Sequence, residues 1–359
     1  MRMANARVER LRKALADQGL EAIIIGSEHN RAYLSGFTGS SGIVVITLQD
    51  SILLTDFRYM TQAPQQAIGF QVVEHGPKAI DSVRDLLASK GIREAAFEQE
   101  QVSYGEFAAW TAALGGIKLK PTSGLVENLR MIKDEQELAV MQEAADLADA
   151  AFWHVLPLLQ PGTAERDIAL ELELFMRKGG AASSSFDTIV ASGERSALPH
   201  GVASDKRIGY GEFVTLDFGA YYKGYCSDLT RTVIVGEPSD KHREIYGIVL
   251  EAQLNGLAQI KPGMTGKQAD ALCRDIIAKY GYGDQFGHST GHGLGMEVHE
   301  QPRLSKLSDT ILTPGMTVTV EPGIYIPGFG GVRIEDDIVI TDSGIKILTS
   351  SPKELLTVG

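Results

Sequence analysis

Val214-Thr-Leu-Asp-Phe-Gly-Ala-Tyr221 and Val318-Thr-Val-Glu-Pro-Gly-Ile-Tyr325 follow one pattern: a strand run that ends on an acid, then a glycine, then a tyrosine. Upstream, Leu159-Gln-Pro-Gly-Thr163 introduces a helix ending at Gly179-Gly180, and Ile260-Lys-Pro-Gly-Met-Thr265 introduces one ending near Gly281. Thr163 and Thr265 lie 102 residues apart, and Asp217 and Glu321 lie 104 apart. Such similar offsets predict a duplicated helix-helix-strands unit. A unit used twice cannot stack as a solenoid, so the halves are expected to face each other about a pseudo-twofold axis. A site at their junction would draw matched side chains from each.

Each strand pair carries a second acid. Asp228 follows a glycine-containing turn ahead of the strand Thr230 to Val235, and Glu335 opens Asp336 to Ile340 after a loop containing Gly328, Gly330 and Gly331. Each half therefore reads as a hairpin with a carboxylate on either arm, in corresponding positions. Four converging carboxylates repel unless their pKa values rise or a cation stands between them, and a metal is the simpler relief. Nearby runs His288-Ser-Thr-Gly-His292-Gly-Leu-Gly-Met-Glu-Val-His299-Glu300-Gln-Pro302, whose glycines permit close backbone approach and whose extended backbone can bring more than one imidazole to a cleft.

Other motifs fail in this region. Gly291-His-Gly-Leu-Gly295 is not a dinucleotide fingerprint, Arg303 stands where a zincin helix beginning at His299-Glu300 needs its second histidine, and Gly266-Lys267 lacks the hydroxyl residue of a phosphate loop. One imidazole with four carboxylates makes an oxygen-rich site for two ions, suiting Mn, Fe(II), Co or Zn. Two ions about 3.5–4 Å apart can activate a water and polarise a carbonyl, which points to hydrolysis.

The rest of the chain sets the frame. At 359 residues, 43% apolar and 22% charged, it is expected to fold throughout as two domains. A net charge of -12 argues against nucleic-acid or anionic-membrane partners and leaves small molecules or peptides. Cys226 and Cys273 read as packing residues. The N-terminal stretch is a charged amphipathic helix without an apolar signal core, and no run approaches the ~18 apolar residues of a membrane span, so the expected location is cytoplasmic. Residues 1–125 alternate helix (about 6–18, 78–90, 103–114) and strand (Ala22 to Ile25, Ile43 to Thr47, Ile52 to Thr55, Ala95 to Glu98), an α/β layer domain. Pro121-Thr-Ser-Gly124 reads as a linker. After it, Asp134 and Glu137 form a capping box for a long helix with Met141, Ala145, Ala148 and Phe152 on one face, opening an α+β domain over 126–359.

These residues resemble the pita-bread metallopeptidase family, which includes methionine aminopeptidase, aminopeptidase P and prolidase. The resemblance covers essentially the whole chain. It implies that Asp217, Asp228, His292, Glu321 and Glu335 are the metal ligands: Asp217 on one ion, Asp228 and Glu335 bridging both, and His292 with Glu321 completing the second. Glu321 would also handle the proton of the attacking water. His200, seventeen residues before Asp217, and His299, seven after His292, match family histidines that orient substrate or stabilise the tetrahedral intermediate. The first domain resembles the creatinase-type domain at Asn30-Arg-Ala-Tyr-Leu-Ser-Gly-Phe-Thr-Gly-Ser-Ser-Gly42 and Leu54-Thr-Asp-Phe-Arg-Tyr59. Short methionine aminopeptidases lack it, so the implied activity is Xaa-Pro dipeptidase or aminopeptidase P, on small peptides with proline second. His288 fits that branch, and Arg303 and Arg333 match basic positions used around peptide carboxylates or the metal ligands. The family further implies a homodimer and two divalent ions, Mn foremost, with Co, Zn or Fe as alternatives. A methionine aminopeptidase-like exopeptidase, a metal-free creatinase-like amidinohydrolase and a non-catalytic binding module are the competing readings.

Overall fold

The computed structural model describes residues 2–359, with side chains from Ala6 onward, and the chain divides into two compact units that meet at Arg130 and Met131. The first contains a six-stranded sheet, in spatial order Gln71–Glu74, Ser51–Thr55, Ile43–Thr47, Ala22–Ile25, Glu94–Glu98 and Lys118–Thr122. Ala22–Ile25 is wholly apolar and buried on both faces, which is why it lies at the centre. It pairs antiparallel with Ile43–Thr47 and parallel with Glu94–Glu98. The expected linker at Pro121–Gly124 is corrected: Pro121 and Thr122 complete the edge strand Lys118–Thr122, where a residue without an N–H is tolerated. The helix Glu28–Ser35 and the strand Gln71–Glu74 had no expectation attached. The helix is short, capped by Ser27 at its start and stopped by Gly36 at φ 77°.

The second unit opens with Glu135–Val155, started by the capping box: Asp134 accepts from the Gln136 and Glu137 N–H groups, and Glu137 accepts from Asp134 N–H. This helix and Glu165–Lys178 pack their apolar faces against a sheet ordered Thr357–Val358, Leu229–Val235, Glu212–Phe218, Ile189–Ser192. Asp240–Gln259 and Gly266–Lys279 do the same against Glu300–Leu304, Gly291–Gly293, Thr317–Val320, Asp336–Ile340, Ile345–Ile347. Each half therefore owns a core of two helices on one sheet. Among the described residues no helix is long and apolar enough to cross a membrane.

The halves differ where the acids sit, which corrects the expectation of corresponding positions. In the first, Asp217 pairs with Thr230, and Asp228 lies two residues ahead of that partner on the same face. In the second, Val320 pairs with Asp336, so Glu321 and Glu335 leave the end of the ladder together. The first ribbon runs on past Asp217 through Ala220–Tyr222 and Tyr225–Cys226, with Gly219 so close to the Ser227 carbonyl that a Cβ would sit 1.8 Å from its oxygen. The second also continues in register past Pro322, which has no N–H to donate, into Gly323–Ile326 paired with Gly330–Arg333, so the acids differ by their own positions along the hairpins.

Candidate metal centre

The second unit brings the five expected donors together. His292 is centred in Gly291–Gly293, a strand squeezed between neighbours: a Cβ on Gly291 would lie 1.9 Å from the Thr319 carbonyl oxygen, and one on Gly293 2.2 Å from that of Gln301. Glycine on both sides is therefore a packing requirement. His292 Nδ1 donates to the Gly293 carbonyl at 3.1 Å, leaving the Nε2 lone pair toward the acids, 3.3 Å from Glu321 Oε1 and 3.6 Å from Asp228 Oδ2. Burial, with His299 as the next influence, pushes the imidazole down to about 3, so it is neutral at ordinary pH. Asp228, His292 and Glu335 present one donor atom each within 4.8 Å of one another.

Hydroxyls and backbone hold the carboxylates from behind. Thr230 Oγ1 donates to Glu335 Oε2 at 2.6 Å and accepts from Arg333 Nε. Thr319 Oγ1 donates to Glu321 Oε1 at 3.0 Å and accepts the His292 N–H. Asp228 N–H donates to Asp337 Oδ2, and Arg333 donates to Asp217 Oδ2. After these bonds, Asp217 Oδ1, Asp228 Oδ1 and Glu335 Oε1 remain buried without a hydrogen-bond partner. Burial, followed by mutual repulsion, drives the Asp228 and Glu335 pKa values well above the carboxylate range. Burial also lifts Glu321 to about 7 against the opposing pull of Arg333. Buried unpaired oxygens on like-charged groups are strongly unfavourable without a counter-ion. The donor set fits hard divalent cations.

A cavity of about 300 Å³ opens onto Asp217, Asp228, His292 and Glu335, with His200 and His299 also on its wall. Phe186, Ile189 and Val298 supply apolar surface. His200 and His299 are solvent-exposed, and the His299 ring meets that of His292 edge to face at 4.4 Å. Partial desolvation, then the Arg303 charge, lowers the His299 pKa. Arg303 pairs with His292 across the ladder, so both side chains leave the sheet on one face. It is half-buried, and among the described residues its guanidinium makes no hydrogen bond or ion pair.

Of the two places expected for Arg333, around a peptide carboxylate or around the candidate metal ligands, it takes the second: it is 3% exposed and its nitrogens donate to Asp217, Tyr325 and Thr230. His288 donates through Nδ1 to the Ser289 carbonyl and accepts through Nε2 from Tyr325, whose hydroxyl accepts from Arg333. Its Nδ1 lies 4.0 Å from Glu321 Oε2, and burial, then Arg333, pushes it to about 4. Sequence reasoning missed Tyr325, Thr230, Thr319 and Asp337. Tyr325 stood in the repeat opposite Tyr221, but a tyrosine after a strand reads first as packing.

Residues 139–342 match metallopeptidase family M24, and residues 7–132 match the Creatinase/Prolidase N-terminal domain. A solved Xaa-Pro dipeptidase from Bacillus anthracis is 56% identical, superposes with a TM-score of 0.97, and the match covers 99% of this chain and 100% of that one. A crystal structure of X-Pro aminopeptidase from Thermotoga maritima is 43% identical with a TM-score of 0.90, over 95% and 98% of the two chains. An Xaa-Pro dipeptidase of Pyrococcus horikoshii is 40% identical over 99% of this chain and 100% of its own.

Proposed function

This chain belongs to metallopeptidase family M24, and from that premise we propose that it hydrolyses the bond between an N-terminal residue and proline, using two divalent ions. The supporting observation is the set of three buried carboxylates, each with one free oxygen, gathered beside the free His292 Nε2. In this reading Asp217, Asp228, His292, Glu321 and Glu335 would together hold the two ions. When bound, the ions polarise the scissile carbonyl and make a water nucleophilic near neutral pH. Glu321, anchored through Oε1 by Thr319, would receive the proton of the attacking water. His200 and His299 stand on the cavity wall where they can donate to the oxygen that gains charge. His288 positions substrate beside Glu321, and Arg303 supplies a cation for a peptide carboxylate.

Proline after the scissile bond removes the amide proton and presents a ring, so a site that selects it needs apolar surface more than an acceptor. Phe186, Ile189 and Val298 supply that surface. The unpaired Arg303 favours dipeptides over longer peptides. We take manganese as the working metal and a cytoplasmic homodimer as the working form. The test compares kcat/KM for Ala-Pro and Ala-Pro-Ala with Ala-Ala, Ala-Ala-Ala and Met-Ala-Ser, before and after chelation and Mn, Co or Zn addition. The proline peptides should be cleaved at least about tenfold better, corresponding to roughly 1.4 kcal/mol, and chelation should abolish turnover. Arg303→Ala should raise KM for Ala-Pro more than for Ala-Pro-Ala. Release of methionine from Met-Ala-Ser with neither proline peptide cleaved would overturn the specificity, and turnover in demonstrably metal-free enzyme would overturn the chemistry.

A further inference from the structure

His200 is exposed, lies outside any regular helix or strand, and still has to keep one place on the cavity wall. What holds it is a carboxylate on the far side of its loop. Glu165, the first residue of Glu165–Lys178, is fully buried. Its Oε1 accepts from the Ser192 N–H at 2.8 Å and the Ser192 hydroxyl at 2.9 Å. Its Oε2 accepts from Arg195 Nε at 3.0 Å, the Ser204 N–H at 3.1 Å and the Ser204 hydroxyl at 2.6 Å. These donors precede and follow His200 in the chain. Hydrogen bonds to an ionised acceptor are the stronger kind, and here one group gathers both legs of a loop.

The surrounding contacts close the same loop. Arg195 Nη2 donates to the Val202 carbonyl at 2.7 Å, and the Glu165 and Arg166 N–H groups donate to Lys206 and Ser204 carbonyls. Beside His200, Gly201 is packed so closely that a Cβ would sit 2.9 Å from that of Ala191, so the apex lies against the strand Ile189–Ser192. The second half repeats the device. Asp270, on the helix Gly266–Lys279 and 1% exposed, pairs with Arg274 and accepts the Thr290 N–H at 3.0 Å. Arg274 donates to the Phe286 and His288 carbonyls. A buried helix-borne acid paired with an arginine thus fastens a histidine-bearing segment in each half.

We propose that Glu165 is the positioning residue of His200, acting on the reaction through the loop it gathers and not through the metal ligands. The inference rests on the reading that His200 serves the reaction. A double-mutant cycle on the metal-loaded enzyme with Ala-Pro tests both, using Glu165→Gln, His200→Ala and the combination. Glutamine keeps the size but turns an NH2 toward one pair of donors. His200→Ala should lower kcat by about 10²–10³, the typical loss of one donor to developing charge. Glu165→Gln should lower kcat about tenfold or more with little change in KM and unchanged metal content, and adding it to His200→Ala should cause little further loss. Ser204→Ala, which trims only one arm, keeps the test usable if Glu165→Gln fails to fold, and should show a smaller loss with the same lack of additivity. A full kcat in His200→Ala would remove the reading of His200. A large His200 effect to which Glu165→Gln or Ser204→Ala adds independently, or a loss of metal in either, would overturn the positioning role.

Discussion

Two buried carboxylate sites, one in each unit, end in opposite states. In the first, Glu98 is 6% exposed, and both its oxygens are used: Oε2 accepts from the Gly26 and Ser27 N–H groups at 2.8 and 3.0 Å, and Oε1 from Asn30 Nδ2 at 2.6 Å. Nearby, Arg31 donates to the Gly39 and Gly42 carbonyls. In the second unit the ring of Asp217, Asp228 and Glu335 is buried to a similar degree, yet each carboxylate keeps an oxygen with no protein partner. A saturated acid locks a loop to a sheet. An unsaturated set, held from behind by Thr230, Arg333 and Asp337, is stable as a site only when something positive completes it.

The sharpest way to break this contrast is to neutralise the unsaturated set. Asp228→Asn and Glu335→Gln should each cost more kcat/KM than the roughly 10–100-fold typical of outer-shell partners, with metal lost in proportion. In chelator, the same variants should melt at or above the metal-free wild type, because one buried like charge is gone. Elemental analysis and denaturation with and without chelator decide it. Full metal content, or metal-free variants that melt well below wild type, would remove the contrast.

The pH dependence of the metal-free protein is the next measurement. Folded pKa values of Asp228, Glu335 and Glu321 lie above their ordinary values, the last at about 7, so the folded chain holds protons that the unfolded chain releases near 4. Their favourable contribution is fully present below about 4 and is lost as pH rises through the folded values. Chelation should therefore lower Tm more at pH 8 than at pH 5, and Asp228→Asn should flatten that trend. Equal chelator effects at both pH values would contradict the geometry.

The smallest effect is expected in the first unit. Glu98→Gln turns an NH2 toward one set of donors and should destabilise by about 1–3 kcal/mol in urea. Metal content and kcat of the folded enzyme should stay at wild type. Loss of metal on this substitution would join the two behaviours that the comparison separates.

Much of this was determined by sequence alone because the relevant interactions are local or periodic. The central strand Ala22–Ile25, the capping box at Asp134 and the strand Asp336–Ile340 fall where alternation, propensity and caps put them. The duplicated helices follow from their Pro-Gly-x entries and glycine exits, and the five donors were picked out from the repeat, the histidine run and the family resemblance. Tertiary structure decided what depends on partners far along the chain. Arg333 became a support for Asp217, 116 residues away, and Thr230 a support for Glu335, 105 away. Pro121 became an edge strand because Glu94–Glu98 was there to pair with it. The two-residue difference between the acid pairs follows from strand register, which sets Asp217 opposite Thr230 but brings Glu321 and Glu335 off the ladder end together. A sequence states which groups can donate or accept, but which buried oxygens end without a donor is settled only when every competing partner has been placed.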